Sequence, residues 1–220
     1  MVALIEGLTA ERVRANLDAV HERIAATGRD PETVEILAAV KYLPPEALLA
    51  LAQGGIRTVG ENRAQELVRK RSAPGGDAFT WDFIGQLQSR KVREIIPHVR
   101  YIHSVASDSV LGQLQRHGDR DTRVLIEVNV AGEQGKGGIA PSDLPAFLER
   151  CPVPVVGLMT MPPLAADPES NRPYFAALRE LAADHGLPEL SMGTSQDFAV
   201  AVSEGATIVR LGTILYAGAP

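Results

Sequence analysis

The chain has 220 residues, of which 45% are hydrophobic and 22% are charged, and its formal net charge is −5. These proportions are typical of a folded globular protein and exclude a disordered chain. The sequence has no basic block, which argues against nucleic acid or an anionic membrane as partner, and its single cysteine, Cys151, excludes a disulfide framework. We expect a soluble cytoplasmic protein, because the sequence shows neither a secretory leader nor an apolar run of membrane-spanning length.

A helix is predicted near the amino terminus, where apolar residues recur at intervals of three and four. These residues are Val13, Leu17, Val20 and Ile24. Thr9 is the expected N-cap of this helix, and Gly28 marks its expected end.

Eight short apolar runs follow the first helix, and stretches of helix length separate them. The runs are 34–40, 58–60, 80–85, 101–105, 123–130, 155–160, 189–193 and 207–212. Strands that alternate with helices predict a parallel sheet built from βαβ units. Eight units predict an α/β fold of the TIM type, a single (β/α)₈ barrel domain over residues 1–220, with an open doubly wound sheet as the alternative.

The end of the chain bears on how the barrel is covered. Residues 213–220 are too few for an eighth outer helix of ordinary length. We therefore expect the amino-terminal helix to cover the gap between the eighth and first strands, and we expect no second domain.

Lys41 directly follows the apolar run of the first strand. Functional side chains of such barrels lie at the carboxyl ends of the strands, so the Lys41 amine is expected near a poorly solvated barrel mouth. Burial lowers the pKa of a lysine, and a neutral amine is the form that adds to an aldehyde. Lys41 is therefore a candidate Schiff-base lysine; the alternative is a lysine that extends from a strand end into solvent.

A second candidate site follows the seventh and eighth strands, where many barrels bind a phosphate. Gly193 permits close backbone approach, and Ser195 is a candidate N-cap for a helix that begins at the next residue. Gly212 and Thr213 follow the eighth strand, close to the cation of Arg210. The alternative is an ordinary N-cap and a glycine turn. With the lysine, a phosphate site would describe pyridoxal 5′-phosphate (PLP) as the cofactor.

Other patterns point less clearly to function. The glycine-rich segment 132–138 lacks the spacing of a phosphate-binding P-loop, so we expect a loop over the barrel mouth in which Lys136 reaches a bound anion or is solvated. The five histidines show no metal-ligand spacing, and we expect no metal. His103 is expected at the barrel mouth, either stacked on a ring or satisfied by protein partners.

Seven motifs, in one order along nearly the whole chain, resemble those of the pyridoxal phosphate homeostasis proteins. These are cytoplasmic PLP-binding proteins with the barrel fold of the alanine racemase N-terminal domain. The motifs are GENRAQE (60–66), WDFIGQLQSRK (81–91), IHSV (102–105), VNVAGEQGKGG (128–138), GLMTMPP (157–163), LSMGTSQDF (190–198) and GATIVRLGT (205–213).

The resemblance implies roles for three residues around the cofactor ring. Lys41 would form the aldimine, and Asn62 would lie near the ring. Arg210 would face the pyridine nitrogen. Because arginine is always cationic, it would disfavour a protonated pyridinium and weaken the ring as an electron sink.

The resemblance also implies a phosphate site, and it has departures. Ser195, Gly212 and Thr213 would hold the phosphate, helped by backbone N–H groups near Gly193 and Thr194. Val40 stands where the family has a hydroxyl residue before the lysine, and Tyr42 and Leu43 stand where it has a Thr-Lys pair after it. In later motifs, Thr194 stands where a Met is common and Gly135 where a Ser is common. A role for a second lysine after Lys41 is therefore not carried over.

Two functions of different classes follow from the resemblance. The favoured one is a monomeric PLP carrier or buffer that supplies apoenzymes without catalytic turnover. The alternative is an amino-acid racemase that uses Lys41 as one base and needs a second acid–base group, for which Tyr42 is a candidate. In alanine racemases a second domain contributes that group, which favours the carrier. A barrel that binds another phosphorylated metabolite is a third possibility.

Overall fold

The structure, a computed structural model, describes residues 5 and 7–217. Its eight strands are parallel and pair in chain order, and the first also pairs with the last, so the sheet closes into a barrel. The strands are β1 (Glu35–Ala39), β2 (Thr58–Glu61), β3 (Thr80–Phe83), β4 (Tyr101–Val105), β5 (Arg123–Glu127), β6 (Val155–Met159), β7 (Glu189–Thr194) and β8 (Ile208–Leu211). The predicted (β/α)₈ barrel is confirmed, and the open doubly wound sheet is excluded.

Helices surround the barrel wall. Those of the described residues are α1 (Ala10–Ala25), α2 (Leu48–Gln53), α3 (Ala64–Arg71), α4 (Val92–Ile95), α5 (Asp108–His117), α6 (Leu144–Arg150), α7 (Arg172–Asp184), α8 (Phe198–Ser203) and α9 (Thr213–Tyr216). None of them is long and apolar enough to cross a membrane.

The amino-terminal helix α1 lies where it was predicted. Thr9 caps it by accepting a hydrogen bond from the Arg12 amide at 3.3 Å, and the helix ends shortly before Gly28, which has a φ of +84°. It packs against α2, α8 and α9, and the Asn16 amide group donates to the Leu215 carbonyl at 3.1 Å. The helix after β8, α9, has only four residues and is too short to cover the wall between β8 and β1, so α1 covers this part of the barrel.

Side chains alternate between the two faces of the barrel wall, as the pleat of a strand requires. Outward apolar side chains pack against the helices and form the larger core. A smaller apolar cluster faces inward and consists of Leu37, Tyr101, Leu125, Met159 and Ile208. Buried polar residues are also present on strands of the wall, among them Asp82, His103, Ser191 and Arg210. These polar side chains, which form hydrogen bonds with one another, therefore help to fill the barrel interior.

One predicted helix start is wrong. Ser195 does not cap α8, which begins at Phe198 after Asp197. The Asp197 Oδ1 atom instead accepts hydrogen bonds from the amide and the hydroxyl of Thr194, at 2.7 and 3.0 Å. These two bonds close a tight turn after β7, so Ser195 lies in the turn and its hydroxyl serves another partner.

Candidate functional site

A cavity of about 290 Å³ opens at the carboxyl ends of the strands. Seven of the eight residues predicted for the site line it: Lys41, Asn62, Thr194, Ser195, Arg210, Gly212 and Thr213. Gly193 is the exception. Tyr42, the candidate second acid–base group of the alternative function, also lines it. Further lining residues, which sequence reasoning did not assign to the site, are Ala39, Ile84, Met161, Leu164, Gln196 and Tyr216. Most of these additions supply apolar surface, which suits a ring-shaped ligand.

Lys41 lies two residues beyond the end of β1 and is half-buried. The preceding residue, Val40, continues the parallel pairing, because its amide donates to the Gly60 carbonyl at 3.0 Å. The Lys41 Nζ atom lies 4.7 Å from the centre of the Tyr42 ring. It forms no ion pair with any side chain of the described residues. The amine is thus held at the cavity by the backbone and by an aromatic face, not by a carboxylate.

Asn62 follows β2 and lines the same cavity from the next strand along the wall. Its Oδ1 atom is buried and has no hydrogen-bond partner among the described residues. A buried acceptor without a partner costs free energy unless a ligand supplies the donor. Gly85 permits this placement, since a Cβ atom there would lie 2.0 Å from the Asn62 carbonyl oxygen.

A buried ion pair supports both of these residues from outside the barrel wall. The Lys70 Nζ atom on α3 lies 2.6 Å from Glu61 Oε2, and it also donates to the Val40 carbonyl at 2.6 Å. The other carboxylate oxygen of Glu61 accepts the Asn62 amide at 2.7 Å. The pair therefore ties the residue before Lys41 to Asn62. Sequence reasoning missed it, although a lysine at a helical position otherwise occupied by core residues was a visible signal.

The turns after β7 and β8 meet at the cavity. The Ser195 Oγ atom accepts a hydrogen bond from the Gly212 amide at 3.1 Å, which joins the two turns. The Thr194 amide is already taken by Asp197, so it is not available to an anion. The turn amides of Ser195 and Gln196 donate to no acceptor among the described residues. With the Ser195 hydroxyl they form a set of donors suited to an anion.

Gly193, the residue before Thr194, lies between this turn and α8. It has a φ of +90°, and a Cβ atom there would lie 2.6 Å from the Ala201 Cβ atom and 3.0 Å from the Phe198 Cα atom. Gly193 therefore lets α8 pack closely against β7. It lies outside the cavity lining, so the role predicted for its backbone in phosphate binding stays a prediction.

Arg210 forms the floor of the cavity and is 6% exposed. One of its terminal nitrogens donates to the carbonyl and hydroxyl oxygens of Ser191, at 2.6 and 2.7 Å, and the other donates to the Thr160 carbonyl at 2.9 Å. Burial lowers the pKa of Arg210 to about 10, although the carboxylates of Glu127 and Asp197 act in the opposite direction. The guanidinium is therefore still cationic at neutral pH.

Two other predicted features occupy different surroundings from those expected. His103 lies inside the barrel and is fully buried; it is satisfied by protein partners, but not at the barrel mouth. In the glycine-rich loop, Lys136 pairs with Glu133, and its Nζ atom lies 3.5 Å from the Met161 carbonyl. Because Met161 lines the cavity, the loop reaches its rim.

Comparisons with known proteins place the chain in a family. The family described as the N-terminal domain of alanine racemase matches residues 9–220. The pyridoxal phosphate homeostasis protein of Aquifex aeolicus is 40% identical over 219 residues, which cover 94% of this chain and 96% of that protein. The chain belongs to the pyridoxal phosphate homeostasis protein family.

Two further relatives agree with this assignment. The pyridoxal phosphate homeostasis protein of Pseudomonas aeruginosa is 38% identical over 216 residues, with 94% of each chain covered. The structure of PipY from Synechococcus elongatus with PLP bound is 32% identical, has a TM-score of 0.75, and covers 90% of this chain and 99% of that one. The resemblance seen in the motifs is confirmed over most of the chain.

Proposed function

We propose that this protein binds PLP in the cavity and takes part in PLP homeostasis without catalytic turnover. One observation carries the proposal. The amine of Lys41, after β1, and the donors of the Ser195 turn, after β7, line one cavity, which matches a ligand with an aldehyde at one position and a phosphate at another. The binding unit is the whole barrel, residues 1–220.

The residues present fit this cofactor. Lys41 would bond covalently to the aldehyde carbon as a Schiff base, and the unpartnered Asn62 Oδ1 atom would receive a donor at the ring. Ser195, the amides of its turn and Thr213 would hold the phosphate, and Gly212 would hold the Ser195 hydroxyl in place through its amide. When bound, PLP supplies a conjugated ring that can accept electrons from an attached amino acid.

Arg210 supports a role in holding the cofactor over a role in carbanion chemistry. It would face the pyridine nitrogen with a guanidinium that remains charged at neutral pH, so it donates a hydrogen bond but does not transfer a proton. An unprotonated ring nitrogen makes a weak electron sink. Tyr216, which also lines the cavity, donates to the Ala39 carbonyl at 3.1 Å. Burial raises the pKa of Tyr216, which disfavours its ionised form as a base.

The proposed physiological role is that of a carrier or buffer. The protein would act in the cytoplasm as a monomer, keep the reactive aldehyde bound, and supply it to PLP-dependent apoenzymes. The names of its relatives support a part in homeostasis. Size-exclusion chromatography with light scattering tests the monomer, and activation of an apoenzyme by the PLP-loaded protein tests the transfer.

Borohydride reduction tests the binding proposal. PLP-loaded protein should absorb in the visible range, lose that absorption on reduction, and yield a pyridoxyl peptide that contains Lys41. K41R should give neither signal, whereas K136R, a matched change in the rim loop, should give both. Uptake of no PLP by the wild type, or an adduct on another lysine, would contradict the proposal. Substantial formation of a D-amino acid from any L-amino acid would contradict a non-catalytic role.

A further inference from the structure

A continuous hydrogen-bond chain runs through the barrel from the cavity floor. Arg210 donates to the Ser191 Oγ atom at 2.7 Å, and this oxygen lies 2.8 Å from the Nδ1 atom of His103. The Nε2 atom of His103 lies 3.1 Å from an oxygen of Asp82. Arg100 completes the chain with two bonds to the Asp82 carboxylate, at 2.6 and 3.1 Å. The chain thus joins β8 and β7 to β4 and β3 across the barrel interior.

The donors and acceptors of this chain determine the protonation of His103. A guanidinium can only donate, so the Ser191 oxygen accepts from Arg210. The Ser191 hydroxyl proton then needs an acceptor, and among the described residues only the His103 Nδ1 atom is in range. Nδ1 must therefore be unprotonated, and Nε2 carries the proton that is donated to Asp82. If His103 were doubly protonated, the buried Ser191 hydroxyl would have no acceptor.

Asp82 fixes this arrangement from the other side. It is fully buried, and its carboxylate accepts from Arg100, from His103 and from the Tyr101 amide at 3.1 Å. Burial alone would raise the pKa of Asp82, but the hydrogen bond from His103 and the hydrogen bonds and positive charge of Arg100 act in the opposite direction, and the pKa lies below its ordinary range. An ionised Asp82 accepts only, which holds the His103 proton on Nε2.

We propose that His103 is a positioning residue for Arg210. It acts through Ser191: by accepting the Ser191 hydroxyl proton, it orients the hydroxyl so that a lone pair of the Ser191 oxygen faces Arg210, which helps to fix the guanidinium at the cavity floor. The proposal concerns an interaction inside the protein. Its consequence for a bound cofactor, that the ring nitrogen meets a fixed cation, rests on the proposed function.

The first experiment needs no cofactor. Histidine side-chain ¹⁵N spectra of the wild type, with the His103 signal assigned by its loss in H103N, should show a neutral ring protonated at Nε2. The terminal N–H signals of the Arg210 guanidinium should be resolved, because its rotation is restricted. They should exchange faster in H103F and S191A, in which the bonds to the Ser191 and Thr160 carbonyls remain but the oriented Ser191 hydroxyl is lost. They should stay unchanged in S104A, a matched loss of a buried hydroxyl that bonds Gly85 instead. A His103 proton on Nδ1, or Arg210 signals unchanged in H103F, would overturn the proposal.

The second experiment uses PLP-loaded protein. H103F and S191A should shift the absorption maximum of bound PLP and weaken its binding about tenfold, the effect of losing one hydrogen bond to a charged group. H103N should recover part of the shift, because its side-chain oxygen can replace Nδ1 as acceptor. Thermal unfolding identifies any variant that has lost its fold. Spectra identical to that of S104A would overturn the positioning role. Failure of the wild type to take up PLP would overturn the proposed function alone, since the first experiment still decides the position of Arg210.

Discussion

Lys70 and Glu61 form an ion pair with an Nζ–Oε2 distance of 2.6 Å, and neither side chain is more than 1% exposed. The pair lies between α3 and the barrel wall. It binds the Val40 carbonyl and the Asn62 amide, so it holds the ends of two strands that carry cavity residues. Removing one partner would leave a buried charge without compensation, which is far more costly than the net contribution of the intact pair.

K70M should therefore lower the free energy of unfolding by about 3–5 kcal/mol. The control is R69A, which removes the side chain of the neighbouring residue on α3. The Arg69 side chain is 60% exposed, and the N–O distance of its ion pair with Glu66 is 3.4 Å. R69A should cost about 1 kcal/mol or less. Urea unfolding followed by circular dichroism measures both values, and equal losses would contradict the prediction.

Gly193 should be among the least replaceable glycines of the described residues. G193A would combine a left-handed backbone conformation, at about 1–2 kcal/mol, with a close contact to Ala201, at about 1–3 kcal/mol. Gly132 also has a positive φ, +65°, but a Cβ atom there would meet nothing within 4 Å. G132A should thus cost only the backbone strain. Thermal unfolding of the two variants compares them, and a loss in G132A as large as that in G193A would argue against close packing as the cause.

Ser195 should affect the phosphate of the proposed cofactor and not its ring. S195A should weaken PLP binding about tenfold, because the hydroxyl would no longer donate to a charged group. Binding of pyridoxal, which lacks the phosphate, should change little. S203A, which removes a hydroxyl from α8 that bonds the Val200 carbonyl, is the matched control. Equilibrium dialysis with both ligands measures the effect; an equal loss for pyridoxal would show that Ser195 does not act on the phosphate.

Asp82 should make stability depend on pH in the acid range. Its pKa is lower in the folded protein than in the unfolded chain, so its contribution is present above the ordinary carboxyl pKa and is lost as the pH falls through the folded value. D82N should be less stable than the wild type by about 2–3 kcal/mol at neutral pH, and the gap should narrow on acidification. E169Q, which removes an exposed carboxylate paired with Arg172, should show a smaller gap. Urea unfolding over a pH series measures this, and a gap that stays constant would refute it.

The sequence by itself determined the barrel architecture and the location of the site at the carboxyl ends of the strands. Apolar runs of strand length alternate with helical stretches, and parallel strands in a closed barrel place all their carboxyl ends at one mouth. That geometry alone brings Lys41, Asn62, Ser195 and Gly212 together, although they lie far apart in the chain. Local signals were also sufficient for the N-cap at Thr9, because its partner is three residues away.

The tertiary structure decided which side chains bond to which. Ser195 and Asp197 are both suitable N-caps by local rules, but the Ser195 hydroxyl takes the Gly212 amide from the next turn, while Asp197 folds back onto Thr194. His103 and Ser191 are 88 positions apart and meet only because the barrel places β4 and β7 across a shared interior. Such pairings depend on strand register and barrel closure. These are properties of the whole sheet, and no single stretch of sequence contains them.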